Sequence, residues 1–287
     1  MRHGIDLFWI VLLLLSMGVS AASAQIRVTT SPDVTLELGT NLQAVDDGRL
    51  AIGSSQPSAV YVPPFSGIPA SAAIAAYDVL DDGIGATSLL SFESDVELPG
   101  AILARRGDVV AVVGSGSYSI LLDASAVGIP DGVVTDALAS VGPDLVLSFD
   151  GTVDLGGGLI AADEDLVRWN GAAFVLAFDG SAAGLDESLD LDAVDRTGNI
   201  WAVSFDTGGI VNGVPFQDED VLAYSNVAGA FSPNLVFEGA AVDPDWAAAD
   251  VEAFAVPEAG TIEMLGWGGL VLLGLRRGRL RSDRIGA

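Results

Sequence analysis

An internal repeat of about fifty-seven residues constrains this chain more than any other feature. Ser91-Phe92-Glu93, Ser148-Phe149-Asp150 and Ser204-Phe205-Asp206 recur at separations of 57 and 56 positions. Asp108-Val109-Val110, Asp165-Leu166-Val167 and Asp220-Val221-Leu222 keep step with them, as do Leu122-Asp123, Phe178-Asp179 and Phe237-Glu238. A fourth marker runs through Asp136-Ala137-Leu138, Asp192-Ala193-Val194 and Glu252-Ala253-Phe254, with an earlier copy expected at Asp78-Val79-Leu80. Each period thus holds four short apolar runs rich in Val, Leu, Phe and Trp and bounded by Gly, Asp and Asn, which is a pattern of strands. Four strands in a unit of roughly 40–60 residues make a β-propeller blade.

The fold expected is therefore all-β and β-propeller-like, with four or five blades over residues 25–256. An irregular β-sandwich of similar strands is the alternative. Residues 25–77 fit the period least well, as a degenerate or partial blade. The copy at 250–256 could supply that blade with its missing strand, closing the ring and leaving no open edge. Asp195-Arg196-Thr197-Gly198-Asn199 reads as a hairpin turn, since Gly and Asn tolerate positive φ. Turns such as Gly198-Asn199-Ile200-Trp201 resemble those of NHL-type propellers.

Both ends read as address labels. Arg2, an apolar core over 7–15 and the small residues Ala22-Ser23-Ala24 before Gln25 have the layout of a secretory signal peptide over 1–24, with a signal helix and cleavage after Ala24 expected. At the other end, Val256-Pro257-Glu258-Ala259-Gly260-Thr261 precedes an apolar run over 264–275. Arg276, Arg277, Arg279, Arg281 and Arg284 follow it. Twelve helical residues reach about 18 Å, short of a ~30 Å hydrocarbon core unless residues 260–263 also enter. The arginines would stay cytoplasmic and leave the preceding chain outside.

This ordered tail over 257–287 resembles the PEP-CTERM sorting signal of exported proteins in Gram-negative bacteria. Val256, Pro257, Glu258 and Gly260 match its motif, while Ala259 stands where that family places a second proline. The resemblance implies a substrate of an exosortase, handled also by the secretion translocon and signal peptidase. It implies a protein of the cell surface or extracellular matrix, anchored transiently in the inner membrane by its C-terminal apolar helix, with polysaccharide or surface protein as partner.

Charge and composition narrow the chemistry. Of 39 acidic residues 35 lie within 25–256, against six arginines there and no lysine anywhere in the chain. Nucleic-acid binding, which rests on neutralising phosphates, is excluded as a partner class. The chain has no cysteine, and its single histidine, His3, falls in the leader. Zinc sites, cysteine nucleophiles and Ser-His-Asp hydrolysis therefore have no residues to use.

Carboxylates alone remain. Asp163-Glu164-Asp165 and Asp218-Glu219-Asp220 occupy equivalent repeat positions before a strand, so Asp163, Asp165, Asp218 and Asp220 are candidates for Ca²⁺, the one cofactor the sequence suggests. Neither triplet has EF-hand spacing, and acids that only solvate a turn have the same appearance. Further acids cluster at Asp186, Glu187, Asp190, Asp192 and Asp195 and at Asp243, Asp245 and Asp250. No catalytic residue is singled out. The expectation is a non-enzymatic binding protein for polysaccharide, protein or cations. The alternative is a carboxylate-dependent carbohydrate-active enzyme, which requires two carboxylates facing each other across a central pocket. Trp169 and Trp201 are expected between blades, with Trp246 in a loop.

Overall fold

The computed structural model describes residues 25–255, short segments within this span excepted. Ala22, Ala24, the signal and C-terminal apolar helices, the motif residues Val256, Pro257, Glu258 and Gly260, and the five terminal arginines lie outside the described residues. Among the described residues no helix is long and apolar enough to cross a membrane.

Four antiparallel four-stranded sheets carry the repeat. The first joins β1 (Gln25–Ser31), β4 (Arg49–Gly53) and β5 (Gln56–Val62) to β24 (Asp250–Ala255), in the order β24-β1-β4-β5. The second is β6 (Ile74–Val79), β7 (Thr87–Phe92), β10 (Val109–Val113) and β11 (Ser117–Leu122). The third is β12 (Leu138–Val141), β13 (Asp144–Leu147), β16 (Leu166–Trp169) and β17 (Phe174–Phe178). The fourth is β18 (Ala193–Thr197), β19 (Ile200–Ser204), β22 (Val221–Val227) and β23 (Ala230–Phe237).

The first strands meet in a ring: β6 lies against β12, β12 against β18, β18 against β24 and β24 against β6. This is the propeller-like arrangement. Its closure is the one the repeat suggests, because β24, last in the chain, pairs with β1, the first strand described. An edge that would otherwise stand open at the innermost position is thereby paired.

Each unit holds more than four strands. A two-stranded hairpin is inserted between the second and third strands of every sheet: β2 (Val34–Leu38) with β3 (Asn41–Val45), β8 (Val96–Leu98) with β9 (Ile102–Ala104), β14 (Val153–Asp154) with β15 (Ile160–Ala161), and β20 (Gly209–Val211) with β21 (Val214–Phe216). Three sheets are followed by a single helical turn, α1 (Ala124–Val127), α2 (Gly180–Ala183) and α3 (Gly239–Val242). Asp123 and Asp179 cap the first two, accepting from Ala126 N at 3.1 Å and Ala182 N at 2.8 Å.

The markers now have physical roles. Phe92, Phe149 and Phe205 are wholly buried, and the apolar clusters that contain them are built from facing sides of neighbouring sheets. Two of the preceding serines tie units together, while Ser148 Oγ donates within its own unit to Asp163 O at 3.0 Å and Asp165 O at 2.9 Å. Ser91 Oγ donates to Thr135 O and Ser204 Oγ to Val251 O at 2.8 Å, each reaching the segment that opens the next inner strand. The fourth marker needs a correction. Tyr77 pairs with Leu90 as Leu138 does with Leu147, so the early copy is Ala75-Ala76-Tyr77, three residues before the expected Asp78-Val79-Leu80. Alanine replaces the acid there, which hid the match.

Candidate functional site

One set of acids among the described residues is consumed by the backbone. Asp108 Oδ1 accepts from Ala124 N at 2.8 Å and its Oδ2 from Arg105 N at 3.0 Å. Asp165 repeats this with Gly180 N at 2.9 Å and Ala162 N at 3.0 Å, and Asp220 with Gly239 N at 3.0 Å and Gln217 N at 2.9 Å. Each is a clamp holding the start of the third strand to the first residue of a helical turn. Asp150 Oδ1 accepts from Val134 N at 2.8 Å and Asp206 Oδ1 from Asp190 N at 3.2 Å, fixing the approach to an inner strand.

A second set is different. Asp136, Asp190, Asp192 and Asp250 lie at or just before the starts of β12, β18 and β24, where the inner strands open onto one end of the ring. With Glu93 and Asp150 nearer the rim, and Ala75 and Val134, they border a cavity of about 470 Å³. All four sheets contribute, so the cavity lies on the axis of the ring. None of its lining residues is basic.

Asp136 is the deepest of these acids, with 8% of its surface exposed. Neither of its carboxylate oxygens has a hydrogen-bond partner, nor do Asp190 Oδ1 and Asp250 Oδ1. Burial drives the Asp136 carboxyl well above the usual range, with Asp190 and Asp192 adding repulsion. Burial also pushes Asp190 up to about 7, helped by Asp163 and Asp206, and Asp250 up to about 7, helped by Asp218 and Asp206. The result is a well lined by acids whose carboxyl groups hold their protons to higher pH than usual, with Ala75 and Val134 also at its border.

The triplets singled out in the sequence are split by the fold. Their first members stand where one unit meets the next: Leu191 N donates to Asp163 O at 3.3 Å and Val251 N to Asp218 O at 3.4 Å. Their middle members are buried, Glu164 over Gly180 and Glu219 over Gly239. Asp165 and Asp220 are the clamps. Among the described residues no three acidic or histidine side chains stand close enough to hold a metal ion. In the sequence, Asp190, Asp192 and Asp250 stood within acidic runs, and Asp136 and Asp192 opened copies of the fourth marker. The periodic recurrence of an acid at Asp136 and Asp192 was the available signal.

Trp201 is buried with Arg196 stacked 4.5 Å from its ring centroid, and Trp169 packs against Phe174 at 4.7 Å. Trp246 lies outside the described residues. A larger cleft of about 810 Å³ borders Arg105 and Arg106, but its charges are mixed, with Asp95, Asp108 and Asp131 beside them. Arg106 N donates to Asp95 Oδ1 at 3.2 Å and Arg106 Nη1 to Gly132 O at 3.5 Å.

No protein-family model matches the chain, and no curated protein matches it. Among solved structures it is similar to two propeller proteins. YjhT is 13% identical with a TM-score of 0.28, the match covering 66% of this chain and 52% of that one. Ycf48, solved bound to D1 peptide, is 11% identical with a TM-score of 0.29, covering 75% and 68%. The chain thus spans about half the length of YjhT. The propeller-like assignment rests on this chain's own strand order and ring of inner strands.

Proposed function

We propose that this chain is an exported, non-enzymatic protein of the cell surface or extracellular matrix, sorted through its PEP-CTERM-like tail. In this reading its four sheets form a closed four-bladed propeller, and the acidic cavity on the axis is a binding site for a positively charged ligand. The observation that carries the binding role is the convergence of Asp136, Asp190, Asp192 and Asp250 on one cavity with no basic residue among its described lining. Concentrated negative charge in a concave, partly desolvated site focuses the field and raises the local concentration of cations.

The export role is tested by mass spectrometry of the mature protein from fractionated cells. An N-terminus at Gln25 and a C-terminus near Pro257 in the surface fraction are expected; an intact chain in the cytoplasm would overturn it. A carbohydrate-active enzyme is the second reading, favoured by central carboxylates, two of them with pKa values near 7, as a general acid requires. Among the described residues no aromatic ring borders the cavity to stack a sugar. Release of reducing ends from a matrix polysaccharide, abolished by Asp190→Asn, would establish the enzyme over the binding protein.

A further inference from the structure

We propose that the axial cavity takes an organic cation, an ammonium or guanidinium head carried on an alkyl chain, in preference to a bare metal ion. The inference rests on the reading of this cavity as a cation site and names the ligand's chemistry.

The cavity's described lining is mixed. Asp136, Asp190, Asp192 and Asp250, with Glu93 and Asp150, supply carboxyl groups, and Ala75 and Val134 are its two apolar residues. A hard divalent ion needs six to eight oxygens close around it. Here no three acidic side chains among the described residues approach closely enough to ligate one. A space of about 470 Å³ is also far larger than an ion requires and suits a small organic molecule. An alkylammonium matches this mixture, its N–H donors directed at separated carboxyl groups and its methylenes at Ala75 and Val134. Asp136 is the anchor. It is more than nine-tenths buried, it borders the cavity, and both its oxygens lack partners. A buried acceptor left without a donor is costly, and a ligand that supplies one recovers that cost. Asp250 opens β24, the strand that closes the ring, so an occupant bridging Asp136 and Asp250 would also tie the closing strand to the third sheet.

Isothermal titration of the full-length chain in mild detergent at about 0.15 M salt tests this with three probes: spermidine, a triarginine peptide and calcium chloride. Asp136→Asn and Asp250→Asn serve as variants from two different sheets, and circular dichroism verifies their folding. One-to-one binding of spermidine or triarginine, weakened at least tenfold by either variant, is the expected result. Which of the two binds tells a free amine from a basic side chain of a partner. Calcium binding that the variants abolish, with neither amine bound, would overturn the organic-cation assignment while leaving the cavity a cation site. Binding of none of the three would overturn both, and amine binding unchanged in both variants would overturn the assignment to this cavity.

Discussion

Asp136→Asn should raise the melting temperature at pH 8 and leave it almost unchanged at pH 3. Asparagine keeps the shape of the side chain and removes its charge, so the difference between the two pH values isolates the electrostatic part. The folded protein holds the Asp136 carboxyl well above its ordinary value, by burial first and by Asp190 and Asp192 second. A carboxyl raised in this way adds no penalty below the unfolded value near 3.8. The penalty grows as pH rises from there and is complete above the folded value. An unpartnered buried charge costs on the order of 3 kcal/mol. A domain of this size shifts by about 2–4 °C per kcal/mol, so the expected gain at pH 8 is about 6–12 °C. Scanning calorimetry of both proteins at both pH values measures it. A lower melting temperature at pH 8, or an equal gain at pH 3, would refute the claim that Asp136 is an unneutralised charge.

The same linkage governs the unaltered chain. Asp190, Asp250 and Glu219 all sit near 7 through burial, so stability should be highest in mild acid and fall as pH rises through about 7; a melting temperature that climbs from pH 5 to pH 8.5 would contradict this. Gly180→Ala should destabilise by about 1–3 kcal/mol, because its Cβ would lie 2.2 Å from Glu164 O and 2.4 Å from Glu164 Cγ. The second unit has Gly107 where the third has Glu164, and there Ala124 stands at the equivalent of Gly180. Adding Glu164→Gly should therefore recover part of the loss in a urea double-mutant cycle. Asp220→Ala should cost about 2–4 kcal/mol by urea melting, since two backbone amides lose a charged acceptor; a cost below about 0.5 kcal/mol would show that the clamp is ornamental.

Much of the ring was legible from the primary structure because the markers are tied to packing. Ser-Phe-acid recurs since phenylalanine fills the core between sheets in every copy, Ser91 and Ser204 reach the next unit, and Asp150 and Asp206 hold the approach to an inner strand. The closing role of residues 250–255 followed from the same period. Three of the inserted hairpins escaped because strands of two or three residues, such as β14 and β15, carry too few positions to show alternation. The site was harder still. Clamping acids such as Asp165 and well acids such as Asp190 have the same residue type and similar local sequence. Only their surroundings separate them, backbone amides for Asp165 and the acids Asp163, Asp206 and Asp150 for Asp190. That distinction is long-range, so triplet spacing pointed to Asp163, Asp165, Asp218 and Asp220 while the axial cavity was built from their neighbours.

The central claim, that the axial acids form a cation site, is tested most directly by melting the full chain at pH 8 with and without 1 mM spermidine. The Asp136→Asn, Asp190→Asn, Asp250→Asn triple variant is the companion sample. A ligand that binds only the folded state must raise its transition. The unaltered chain should melt higher with spermidine while the triple variant stays put. Equal shifts in both would assign the effect to general screening of the acidic surface, and no shift in either would contradict the site.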